Sequence, residues 1–186
     1  MADRCNTIRL YSFQTDVVYQ VLKRDGVCYS KEEYVRKKYK ESAKVFINAY
    51  GWFVKEAQHI VPKPEGAEYP YWAFTDLYNV DQTGDGHVLT LDVPIGEAIL
   101  FDMFDWTKIM QMHYIGENES EEATFSEELK NMGMNEFQIM TSNFYPEQKA
   151  RIQESWKRLF GHQQAIEAGD NSGVHSVQAG LWCIKD

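Results

Sequence analysis

The two ends of the chain carry the same alternating pattern, and that limits the fold more than any other feature. Ile8 to Phe13 sets Ile8 and Leu10 against Arg9, Tyr11 and Phe13, and Val174 to Ile184 alternates again. A period of two marks strands whose faces meet different surroundings. Strands near both termini, with helical stripes between them, predict an α+β domain with a mixed, mainly antiparallel sheet and packed helices. Its 186 residues are of single-domain size, so one domain over 1–186 is expected. Aromatic side chains, 14% of the total, recur along the whole length and point to one continuous core.

Between the terminal strands the pattern changes period. Thr15 opens a helix with Val17, Val18, Val21 and Leu22 on one stripe, and Gly26 stands where a left-handed C-cap belongs. Ser30 and Glu33 have capping-box spacing, Pro62 marks the far end, and Val45, Phe46, Ala49, Tyr50, Phe53, Ala57 and Ile60 form an apolar stripe between them. YWAFTDLYNV reads as a strand, DQTGDG as a turn, and His87 to Val93 and Ala98 to Phe101 as further strands. Asp102 caps a helix with Met103, Trp106, Ile109, Met110 and His113 on one face. Residues 117–143 carry an acidic cluster and little periodicity, the pattern of an insertion or mobile segment. Pro146 then opens a helix striped by Ile152, Trp156, Leu159 and Phe160 and ended by Gly161.

Charge and hydropathy narrow the function classes. Nineteen Lys and Arg against 28 Asp and Glu give a formal charge of -9, which argues against general nucleic-acid binding. No apolar run approaches the roughly 20 residues of a membrane helix, and the first residues lack a signal peptide's apolar stretch, so no membrane association and a cytoplasmic location are expected. Cys5, Cys28 and Cys183 are far apart and odd in number, which suits reduced thiols. Cys28 and Cys183 read as small core residues rather than nucleophiles, since no neighbouring base is apparent. Asp81, Thr83, Asp85, Gly86 and Asp92 approximate a calcium loop, but strand-like flanks favour a hairpin turn. His59, His87, His113, His162 and His175 show no metal-ligand spacing, so neither a metal nor a cofactor is expected.

Four segments together resemble a family of small bacterial proteins, a domain of unknown function numbered thirty-eight forty-one. They are IRLYSFQT, AYGWFVKE continuing through KPEGAEYPYWAF, VLTLDVPIGEAILFDMFDWTKIM, and ESWKRLF followed by SVQAGLWCI. The resemblance runs from near residue 8 to the end, apart from the acidic segment. This chain carries DLYNVDQTGDGH where family members usually have a basic or proline-containing stretch. The opening strand and helix, with Arg9 and Tyr11 on the mixed face, are also similar to those of ADP-ribosyltransferase-like folds. That similarity implies a dinucleotide held by a basic residue on the first strand. It also implies a late catalytic Glu, which has no clear equivalent here: the final strand carries Ser176 and Gln178, and Glu97 precedes a different strand.

Two kinds of site follow from the residues. Arg9, Tyr11, Trp72, Gln178 and Trp182 would line a cleft for a small polar aromatic ligand such as a nucleotide, with Arg meeting phosphate and the rings the base. Asp102 and Asp105, three apart, and Glu97 are the carboxylates open to acid–base chemistry, against which stands ordinary helix capping. Binding of a nucleotide-like molecule leads. A transfer or hydrolysis enzyme and a self-assembling homo-oligomeric interaction module are the alternatives.

Overall fold

The computed structural model describes residues 6–40 and 43–186. Cys5 and the side chain of Val45 fall outside what it describes. In chain order the elements are β1 (Thr7–Gln14), α1 (Asp16–Asp25), β2 (Val27–Tyr29), α2 (Glu32–Tyr39), α3 (Ala43–Ala57), β3 (Tyr71–Phe74), β4 (His87–Pro94) and β5 (Ala98–Asp102). There follow α4 (Met103–Met110), α5 (Glu119–Asn131), α6 (Glu136–Thr141), α7 (Pro146–Ser155), α8 (Gln163–Glu167), β6 (Val177–Leu181) and β7 (Cys183–Lys185). Short 3-10 turns at Leu77–Asn79, Ile95–Glu97 and Trp156–His162 join them.

Five strands form one sheet in the order β4-β1-β3-β6-β5, antiparallel throughout, and β2 pairs with β7 in a second. This is the α+β domain that the alternating termini predict. Alternation sorts the side chains onto two faces. Leu10, Tyr71, Ala73, Ala98, Leu100, Val177, Ala179 and Leu181 pack with Leu22 of α1, Ile166 of α8 and Cys28 and Ile184 of the small sheet. On the other face Trp72, Ile99 and Phe101 meet Tyr50 and Phe53 of α3, Trp106 and Ile109 of α4, and Trp156. Gly180 lets α3 come this close: a Cβ there would lie 2.8 Å from Cζ of Phe53.

The outer edge of β5 is guarded by one side chain. The Leu100 N–H donates to Oε1 of Gln163 at 2.5 Å, and Nε2 of Gln163 donates to the Ala98 carbonyl at 3.1 Å. The Gln163 amide thereby stands in for a further strand and removes an open edge.

Several local expectations hold. Gly26 takes φ 72° and returns its N–H to the Leu22 carbonyl, which only a residue without Cβ does freely. Asp102 caps α4 by accepting from the Phe104 N–H at 3.0 Å, and Pro146 opens α7.

Others need correction. Thr15 precedes α1 without a side-chain cap bond. Ser30 and Glu33 form no capping box, because Ser30 is drawn into a bridge with Tyr69 and Glu68 from that segment accepts from the Glu32 N–H at 2.8 Å instead. The helix expected from Ser30 to Pro62 is divided into α2 and α3, with Lys40 at φ 47°. YWAFTDLYNV is strand only to Phe74 before the 3-10 turn. The final strand breaks at Trp182, where the chain leaves one sheet for the other. The acidic segment carries α5 and α6, and it contributes Phe125, Leu129, Ile139 and Met140 to the core.

Candidate functional site

The strand register places most of the residues expected to bind ligand on one face. Antiparallel pairing puts Thr90, Tyr11, Phe74, Gln178 and Phe101 in a single row across five strands, and Arg9 and Trp72 share that face. Their surroundings differ. The Trp72 Nε1 donates to the Tyr50 hydroxyl at 2.8 Å and its ring lies 4.6 Å from that of Trp106. Trp182 is buried and donates Nε1–H to the Val61 carbonyl at 2.8 Å. Both indoles therefore serve as core with their donors satisfied, which is the usual state of a buried Trp. Arg9 grips Asp92 with two bonds of 2.8 Å, and the two side chains stay 62% and 54% exposed. That fork occupies the guanidinium and contributes little to stability at such exposure.

Gln178 is different. It is 3% exposed, and its side-chain amide has no hydrogen-bond partner among the described residues. No fully sealed side-chain nitrogen or oxygen among them lacks a partner, so the small exposed area of Gln178 includes its amide atoms. Phe74 and Phe101 flank it across the sheet, the first half-buried and the second fully buried. The amide thus stands at the border between the helix-covered part of the face and the open part formed by Arg9, Tyr11, Phe13, Val88, Thr90 and Asp92. A buried, solvent-touched donor and acceptor with no internal partner is an uncommon arrangement.

The three carboxylates singled out for acid–base chemistry separate. Glu97 pairs with Lys185 at the surface at 2.5 Å. Asp105 lies in the first turn of α4, 4.0 Å from Lys108. Burial pushes its carboxyl above the ordinary value; Lys108 opposes this and the charge of Asp102 adds to it. Asp102 is 3% exposed and fully engaged. Its Oδ1 accepts from the N–H groups of Phe104 and Ser176 at 3.0 and 3.4 Å, and Oδ2 accepts from the His175 N–H at 3.0 Å and meets the His175 Nδ1 at 2.8 Å. Burial pushes this carboxyl up, but the bonds from His175, Phe104 and Ser176 outweigh it and hold it below its ordinary value.

His175 is the residue that sequence reasoning left aside. Its ring lies 4.8 Å from that of Phe104, and 72% of its side chain is exposed. The register of β5 on β6 sets Asp102 opposite Val177 and so brings residue 175 to it, a pairing that the sequence alone does not fix.

Cys28 is buried with its sulfur 3.1 Å from the Tyr71 hydroxyl, and burial raises the Cys183 thiol above its ordinary value, so that thiol is protonated at neutral pH. Asp81 accepts from the N–H and hydroxyl of Thr83 in a turn before β4. Among the described residues no three His, Cys, Asp or Glu side chains are placed to hold a metal ion, and no helix is long and apolar enough to cross a membrane. Two shallow depressions of about 380 and 350 Å3 lie along α5, one beside Leu129, Met134 and Asn135, the other beside Tyr114, Phe125 and Arg151. None of the sequence-chosen residues lines either of them.

No curated protein and no solved structure matches the chain, so the similarity of its opening to ADP-ribosyltransferase-like folds gains no relative. A family profile does match, over residues 9–186 and across the acidic segment. By that match the chain belongs to the family described as Domain of unknown function (DUF3841).

Proposed function

We propose that the protein binds a small, planar, uncharged ligand of the nucleobase or nucleoside class on the open part of its sheet face. The unpaired Gln178 amide carries this reading. A carboxamide presents one acceptor and two donors at fixed spacing, which matches the adjacent donor and acceptor on the edge of a purine. Tyr11 and Phe74, half-buried in the same row, supply ring surface on which such a ligand stacks. Arg9 does not favour a phosphate, because Asp92 already fills its fork. A nucleoside is therefore the better fit than the nucleotide suggested by the sequence.

Calorimetric titration with adenosine and with adenosine monophosphate tests the reading. The expected result is heat from adenosine, no tighter binding of the monophosphate, and loss of heat in Gln178→Leu. Unchanged adenosine binding by Gln178→Leu would remove Gln178 from the site and the proposal with it.

A further inference from the structure

Where β5 ends and β6 begins, apart from the Gln178 amide, a second arrangement is built from a buried carboxylate and an exposed imidazole. Asp102 is ionised at neutral pH, and an ionised carboxylate only accepts hydrogen bonds. The proton between Oδ2 and Nδ1 of His175 therefore belongs to the ring, and Nε2 of the neutral imidazole carries a lone pair. Three backbone N–H groups fix the carboxylate, so the ring is oriented by a partner that is itself held. The ring's other contact is Phe104, which is half-exposed. Among the described residues no Lys or Arg pairs with Asp102.

We propose that Asp102 and His175 form a general-base pair that hydrolyses neutral carboxylic esters presented at this corner. Nε2 takes a proton from water while the water oxygen adds to the acyl carbon. The bond from that carbon to the alkoxy oxygen then breaks, and the imidazolium returns its proton to the departing alcohol. Asp102 stabilises the transient imidazolium and is a positioning residue. A neutral ester suits the corner better than a phosphoester, because the groups around the pair are a carboxylate, backbone amides and an aromatic ring rather than cations. Phe104 offers an apolar footing for the acyl chain. The 3-10 turn at Leu77–Asn79 is tied to the same corner, where Asn79 donates to the Ser176 hydroxyl at 2.6 Å. The pair stands independently of any ligand on the sheet face.

The test is hydrolysis of p-nitrophenyl acetate at pH 7.5 by the wild-type protein and by His175→Gln, Asp102→Asn and His113→Gln. His113 serves as the control because its Nδ1 also faces a carboxylate, Glu136, at 2.8 Å. The expected loss in His175→Gln is about a hundredfold, the low end for one acid–base group, with His113→Gln unchanged. His175→Gln leaves the three backbone bonds to Asp102 in place, so the fold is expected to survive, as far-UV circular dichroism will record. Nitrogen-15 spectra of His175 check the geometry on which the pair depends, with the proton on Nδ1 in the wild type and moved to Nε2 in Asp102→Asn, and the kinetics separate positioning from mere structure: kcat of Asp102→Asn is expected to fall with KM unchanged. Wild-type hydrolysis by His175→Gln, an equal loss in His113→Gln, or an unchanged tautomer in Asp102→Asn would each overturn the proposal.

Discussion

The same face of the same sheet is core on one side and surface on the other. Over β3, β6 and β5, Trp72, Phe101 and Ile99 interlock with Phe53 and Trp106, with ring centroids 5.0 Å apart for Phe53 and Trp72. Over β1 and β4 the outward residues are Arg9, Tyr11, Phe13, Val88, Thr90 and Asp92, and among the described residues no helix packs its core side chains on them. The strands themselves are alike in pairing and alternation. What separates the halves is the approach of α3 and α4, allowed by Gly180, whose missing Cβ makes room for Phe53. Gln178, one pleat away from Gly180, falls on the boundary and keeps a polar group where the core would take an apolar one. The contrast teaches that an unpaired amide at such a boundary costs stability that a purely structural residue would recover.

The comparison breaks most visibly if the covered half is emptied. Phe53→Ala is expected to cost about 3–5 kcal/mol, read as a lowered denaturant midpoint, because a fully buried ring leaves a cavity. Gly180→Ala should cost about 1–3 kcal/mol through overpacking against Phe53. At the boundary, Gln178→Leu is expected to gain about 1 kcal/mol while losing adenosine binding, since the unpaired amide is removed and the volume is kept. On the open half, Arg9→Ala should leave the denaturant midpoint essentially where it is, and a clear loss would show that the exposed fork does more than surface pairs usually do.

Asp105 sharpens the same contrast through pH. Its carboxyl is raised by burial in the covered half, so the folded state favours the protonated form. The native state then holds its proton after the unfolded chain has released it, and stability falls as pH rises from the ordinary carboxylate value through the raised one. Asp105→Asn removes that fall. Thermal midpoints between pH 3 and 7 should therefore decline less at the upper end for Asp105→Asn than for the wild type.

Much of this fold is legible in the sequence where the determinants are local. The alternation of Ile8 to Phe13 and of His87 to Val93, Gly26 after its helix and Asp102 before the next all act within a few residues. The Ser30 to Glu33 spacing misleads because Tyr69 and Glu68, far along the chain, engage that turn first. The alternation through Trp182 is continuous, yet the chain changes sheets there for reasons that only the packing of Trp182 against Val61 supplies. The acidic segment hides its apolar positions: Phe125 and Leu129 are one helical turn apart but lie among Ser, Glu and Lys. Of the site, Gln178 and Asp102 are visible as polar residues on or beside strands. The missing partner of one and the four bonds of the other depend on strand register, and His175 is 73 residues from its carboxylate.

The most direct test is the side-chain amide resonance of Gln178 during titration with adenosine. The Nε2 proton pair is expected to move together with the ring signals of Tyr11 and Phe74, while those of Trp182 stay in place. A Gln178 amide that remains unmoved at saturating adenosine would contradict this expectation.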